Sequence, residues 1–191
     1  PNVLGNITTA ANMSFSAKTP KKGKVAMLSQ SGAMMTAVLD WADTQKIGFS
    51  HFISLGNKCD VDEVDFIEEI SEDPDTAILI LYLESVTNGP KFLEVVSKAT
   101  IKKPVVILKS GISPAGKAAA SSHTGALAGD DIAFDIAFER CGVIRVKTMK
   151  ELFDLSNLFD KVTIMPKGDY FSILTNAGGP GIIATDAFEK Y

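Results

Sequence analysis

The sequence has 191 residues, 46% of them hydrophobic and 22% charged, with 15 glycines and 8 prolines. That is the composition of a soluble globular α/β protein, long enough for one full domain or for one domain with part of another. The net charge of −4 gives no electrostatic reason to expect nucleic acid or an anionic membrane as partner. No apolar run approaches the ~20 residues that span a bilayer, and the first residues carry no signal pattern. Cys59 and Cys141 stand far apart without CxxC spacing. They fit a reducing compartment, hence a cytoplasmic location, and support neither a disulfide framework nor a metal site.

Residues 1–22 mix Asn, Thr, Ser, Ala and Pro and show neither strand nor helix period, so they read as a linker. An opening Pro1 in place of Met points to a piece of a longer protein. Val25–Leu28 is a short apolar run that meets the polar turn Ser29-Gln30-Ser31-Gly32 and then a helical pattern over 33–42. A buried strand, a Gly-containing turn and a helix start is how a parallel α/β sheet begins. Ser29 or Ser31 can cap that helix, and the free N–H groups of its first turn attract anions; capping alone accounts for the serines equally well.

Phe49–Ser54 is a second strand, and His51 within it reads as structural. The acidic helix from about 61 to 70 does not match a calcium loop; acids in a first helical turn suit the helix dipole. Thr76–Leu83, the most apolar strand, ends on Glu84. A carboxylate at the C-terminal end of a central parallel strand stands where such sheets put their ligands. Glu84 can accept an imidazole N–H and so orient the ring, or it is simply a solvated strand end. A helix over 91–99 and a fourth strand over 104–109 follow.

Residues 110–122 are rich in Gly, Ala and Ser and lead into His123-Thr124-Gly125-Ala126-Leu127-Ala128-Gly129. His123 lies among residues too small to hide it. Gly125 permits close approach of backbone to a bound group, and N–H groups of the loop, near Gly125 and Ala126, can line an anion site. Neutral imidazole is a competent nucleophile toward phosphorus; a plain polar residue in a small-residue loop is the other reading.

An amphipathic helix over 131–141, a fifth strand over 143–146 and a helix over 150–159 complete five strands alternating with helices. The pattern predicts a doubly wound, flavodoxin-like parallel sheet over 23–163. It then restarts. A turn over 165–169, a strand Tyr170–Leu174, a Gly-rich loop over 175–181 and a helix over 182–190 read as the first strand, loop and helix of a second α/β domain occupying 164–191. That loop has neither GxGxxG nor the P-loop lysine.

Taken together, these blocks resemble the nucleoside-diphosphate-forming acyl-CoA synthetases, that is, the ADP-forming acetate–CoA ligases and the succinyl-CoA synthetase α-subunits. The resemblance rests on Gly23-Lys24-Val25-Ala26 running into Ser29-Gln30-Ser31-Gly32, and on Ser54-Leu55-Gly56-Asn57 with Asp60. It continues through Glu84, Lys109-Ser110-Gly111, Ser122 to Gly129, and Asn176 to Gly181. It implies that acid, CoA and ATP interconvert with acyl-CoA, ADP and phosphate, and that His123 carries phosphate as phosphohistidine on a loop that swings to a nucleotide in another domain. Ser29, Gln30, Ser31 and Gly32, with loop N–H groups at Gly125 and Ala126, would hold the phosphate, and Glu84 would polarise the imidazole.

The same resemblance implies a CoA-binding Rossmann domain ahead of Pro1, with residues 1–22 as the linker from it, and an ATP-grasp domain or subunit that binds nucleotide and Mg²⁺. The complete protein would be an oligomer acting on a carboxylic acid. Residues 1–191 alone would then hold no cofactor tightly and would not turn over. A rival reading is the acyl-CoA-sensing, synthetase-like region of a protein lysine acetyltransferase; retention of His123 and Glu84 favours the ligase. A flavodoxin-type electron carrier rests on fold alone.

Overall fold

A computed structural model of the chain describes residues 2–118, 131–162, 168 and 170–190. Its strands are β1 (Gly5–Thr8), β2 (Asn12–Ser14), β3 (Lys22–Ser29), β4 (Phe49–Ser54), β5 (Ile78–Leu83), β6 (Val105–Lys109) and β7 (Ile144–Val146). Its longer helices are α1 (Gly32–Gln45), α2 (Glu63–Glu72), α3 (Gly89–Lys102), α4 (Asp131–Arg140), α5 (Met149–Lys161) and α6 (Gly178–Lys190). One sheet runs in the order β2-β1-β4-β3-β5-β6-β7. The five strands from β3 to β7 are mutually parallel, as the alternating pattern predicts. Their order is the flavodoxin-like one, with the first strand between the second and the third.

β5 and the inner parts of β3 and β6 are apolar because helices cover both faces, and the period of two sorts their side chains. Ala26, Leu28, Leu79, Leu81, Leu83, Val105 and Ile107 pack with Val64 and Ile67 of α2, Phe92 and Val96 of α3 and Phe138 of α4. Met27, Ile78, Ile80, Val106 and Leu108 point the other way, onto Met35, Val38 and Leu39 of α1 and Leu152 of α5. Gly23 and Gly48 let β3 and the lead into β4 touch backbone to backbone: a Cβ on Gly23 would lie 2.3 Å from the Gly48 carbonyl carbon.

Two expectations are corrected. The stretch read as a linker carries β1 and β2, an antiparallel pair added to the outer edge of β4. Strands of four and three residues are too short to display a period, and Ile7 is the only fully buried side chain they contribute. The predicted strand Tyr170–Leu174 is not one. It pairs with no strand among the described residues, Tyr170 is 98% and Leu174 100% exposed, and a lone strand has no ladder to stabilise it. The helix after it does form, and Phe188 of α6 stacks on Phe171 with ring centroids 4.6 Å apart.

The acids near residue 62 have a local explanation. Asp62 caps α2 by accepting from the Val64 N–H at 2.8 Å, and Asp65 reaches back to the Asp62 N–H at 3.0 Å. This is a capping box in which both acceptors are aspartates.

Candidate functional site

Strand order reverses at β3: from it the parallel sheet grows one way to β4 and the other way to β5. The crevice outside the carboxyl ends of strands at such a point is where open α/β sheets bind ligands. β3 ends in Ser29 and runs through Gln30-Ser31 into α1, while β5 delivers Glu84-Ser85. The two neighbouring strand ends contribute Leu55–Asp62 after β4 and Lys109-Ser110 at the end of β6.

The predicted phosphate turn has its own hydrogen-bond order. Ser29 Oγ accepts from the Ser31 N–H and donates to the Ser31 carbonyl, both at 3.0 Å. Ser31 caps α1, its Oγ accepting from the Met34 N–H at 3.3 Å and its carbonyl from the Met35 N–H. The Gly32 N–H donates to the Asn2 carbonyl at 3.0 Å, and a Cβ at Gly32 would lie 2.7 Å from that oxygen. Gly32 is therefore required by the close passage of the N-terminal residues over the start of α1. The capping reading of Ser31 is observed directly, and it leaves the positive end of the α1 dipole facing the same crevice.

Gln30 is turned the other way. Its Oε1 accepts from the Glu84 N–H at 2.6 Å and the Ser85 N–H at 2.9 Å, and its Nε2 meets Ser85 Oγ at 3.2 Å. Both ends of the carboxamide are engaged on the loop that bears Glu84. On the far side of that loop, Lys109 Nζ donates to the Glu84 carbonyl at 2.7 Å and to Ser110 O at 2.5 Å. Lys58, in a left-handed backbone conformation with φ of 54°, donates to the Ser85 carbonyl at 2.6 Å. Lys58 also pairs with Glu63 Oε2 at 2.7 Å, the two side chains being 3% and 0% exposed.

The structure thus brings Ser29, Gln30, Ser31, Gly32 and Glu84 to the carboxyl end of the sheet at the switch point. His123, Gly125 and Ala126 lie outside the described residues. Among the described residues no three His, Cys, Asp or Glu side chains converge as metal ligands. His51 is structural: its Nε2 is 2.9 Å from Asp73 Oδ2, and Thr76 Oγ1 donates to the same oxygen at 2.6 Å.

Sequence reasoning gave no role to Lys58, Glu63 or Arg145, and took Lys109 only as part of the Lys109-Ser110-Gly111 block. Lys109 had a signal, the same one as Glu84: a charge closing an all-apolar strand. Glu63 had none, being one acid among several. Arg145 bonds Asp131 and Asp135 of α4 and so ties the start of that helix to β7.

Burial pushes the Lys109 ammonium down from 10.5 to about 8, and the nearby Arg145 charge adds to the effect. A lysine with a lower pKa folded than unfolded sheds its proton first in the folded state, so stability rises as pH climbs from about 8 to about 10.5 and the burial penalty is fully present below that window. Urea unfolding across the window should show this rise in the natural protein and lack it in Lys109→Met. Parallel pH profiles for the two would remove the assignment.

Residues 22–159 match the family described as the succinyl-CoA ligase like flavodoxin domain. Along its whole length the chain is 46% identical to the ADP-forming acetate–CoA ligase I of Archaeoglobus fulgidus, of which it covers 28%. It is also 46% identical to the ADP-forming 4-hydroxybutyrate–CoA ligase of Nitrosopumilus maritimus, again covering 28% of that protein. Among solved structures it superposes on the dinucleotide-forming acetyl-coenzyme A synthetase 1 of Candidatus Korarchaeum cryptofilum, in complex with phosphate and ADP. The TM-score is 0.93 at 34% identity, covering all of this chain and 42% of that one. The chain therefore spans less than half the length of each of these relatives.

Proposed function

Because the chain belongs to the succinyl-CoA ligase-like flavodoxin family, we propose that it is the phosphoryl-carrying part of an ADP-forming acid–CoA ligase. The observation that carries this reading is the 46% identity to an ADP-forming acetate–CoA ligase across every part of the chain. The meeting of the α1 start with Glu84 at the switch point supports it.

The chemistry runs in three steps. In the direction of synthesis, His123 attacks the terminal phosphorus of ATP; an N–P bond forms, the P–O bond to ADP breaks, and ADP leaves. The carboxylate of the acid then takes the phosphoryl group, releasing the imidazole and giving an acyl phosphate. The CoA thiolate attacks the acyl carbon and phosphate departs. Glu84 accepts the N–H of one ring nitrogen, which keeps the lone pair of the other aimed at phosphorus. The N–H groups of the loop near Gly125 and Ala126, with the dipole of α1 behind Ser29 to Gly32, balance the phosphate charge. CoA, ATP and Mg²⁺ are held mainly by a Rossmann domain and an ATP-grasp domain or subunit of the whole protein, and the chain works inside the cell.

The test is phosphate transfer from γ-labelled ATP to the full-length protein. A label that is lost in acid and survives alkali is phosphohistidine and supports the reading. A label with the opposite stability, or none on a folded protein that binds CoA, overturns it in favour of an acyl-CoA-sensing module. Residues 1–191 alone are expected to form no CoA thioester.

A further inference from the structure

We infer that Gln30 is a positioning residue for phosphoryl transfer, acting through Glu84 by fixing the peptide that carries it. This rests on the role proposed for Glu84 above. The peptide from Glu84 to Ser85 is gripped from three strand ends. Gln30, after β3, takes both of its N–H groups on one oxygen. Lys109, at the end of β6, takes the Glu84 carbonyl, and Lys58, after β4, takes the Ser85 carbonyl. Every backbone N–H and C=O of the pair has a side-chain partner, where a helix or ladder ordinarily supplies one.

Gln30 is 3% exposed, Lys109 4%, and the Lys58 side chain 3%. Three long side chains have been ordered and buried at an entropic cost to define one dipeptide at the mouth of the crevice. A glutamine suits the central place because its carboxamide oxygen can accept two adjacent N–H groups while its amide end restrains Ser85 Oγ. Its neutrality also adds no charge beside a phosphate. A carboxylate that must orient an imidazole has to be held to a few tenths of an ångström, and this grip supplies that restraint from outside the reacting groups.

The experiment is a double-mutant cycle on the full-length protein, measuring the single-turnover rate of His123 labelling by ATP together with the half-saturating ATP concentration. Gln30→Met, nearly the same size but without an acceptor, is expected to slow labelling about tenfold with half-saturation unchanged. In a Glu84→Gln background the same change is expected to have no further effect, because the grip then positions nothing. Labelling at the natural rate by Gln30→Met, or equal slowing in both backgrounds, would overturn the inference while leaving the ligase reading intact. Absence of label on the natural protein would instead sink the reading beneath it. Where Gln30→Met does not fold, Gln30→Asn takes its place, neutral and with the same carboxamide one methylene too short to reach both N–H groups; slowed labelling in the natural background and no further slowing in the Glu84→Gln background is expected, and no slowing, or equal slowing in both, overturns the inference.

Discussion

Replacing His123 by asparagine in the full-length protein is expected to abolish the ATP-derived label and to lower ATP-dependent acyl-CoA synthesis at least about 10³-fold, which is some 4 kcal/mol of barrier. Asparagine is similar in reach to histidine and keeps hydrogen-bonding groups, so the substitution is conservative in size and polarity. Its amide nitrogen has no free lone pair, because resonance with the carbonyl consumes it, and so it cannot become phosphorylated. The loss should be confined to steps that pass through the imidazole. Conversion of a supplied acyl phosphate and CoA into thioester needs no phosphohistidine and should continue. Retention of label in His123→Asn would move the carrier to another residue, and loss of the acyl-phosphate step along with the first would mean that the loop had collapsed.

The second large effect concerns stability. Lys58→Met is expected to destabilise the fold by about 3–5 kcal/mol, the cost of leaving one half of a buried ion pair behind. Glu63 is completely buried, neither of its carboxylate oxygens makes a well-formed hydrogen bond among the described residues, and Oε2 faces Lys58 Nζ at 2.7 Å. With the ammonium gone, a carboxylate would remain in an apolar setting beside the Ser85 carbonyl, which would itself lose its donor. Glu63→Leu should be costly for the converse reason. The double variant Lys58→Met with Glu63→Leu should recover most of the loss, since two apolar side chains replace two desolvated charges, but not the part due to Ser85. Urea midpoints for the three variants decide this. Single variants within about 1 kcal/mol of the natural protein would show that water already solvates the pair, as at ordinary surface ion pairs.

The parallel sheet could be read in the sequence because apolar runs such as Ile78–Leu83 and Val105–Lys109 have no other stable use than strands covered on both faces. β1 and β2 could not, being edge additions held largely by ladder hydrogen bonds, which any residue other than proline can make. The segment 170–174 misled for the opposite reason. Its apolar residues have strand character, but strand character becomes a strand only beside another strand. Within the site, Glu84 was legible by position, as a charge closing an apolar run. The task of Gln30 was not. Its partners, Glu84 and Ser85, lie more than fifty residues away along the chain, and nothing local to the Ser-Gln-Ser-Gly turn says which way the carboxamide points.

The two rims of the sheet set how the molecule can meet others. On one side the last strand is Asn12–Ser14 and on the other Ile144–Val146, three residues each. Arg145 stands in the middle of the second, its guanidinium already bonded to Asp131 and Asp135. Ribbons so short, one polar and one charged, offer a foreign chain too few hydrogen bonds for lengthwise growth of the sheet, a standard protection against aggregation. At these two edges of the described sheet, recognition by strand addition is thereby disfavoured. Among the described residues, the surfaces left open to a partner are the strand ends and the helical faces and not the edges of the sheet.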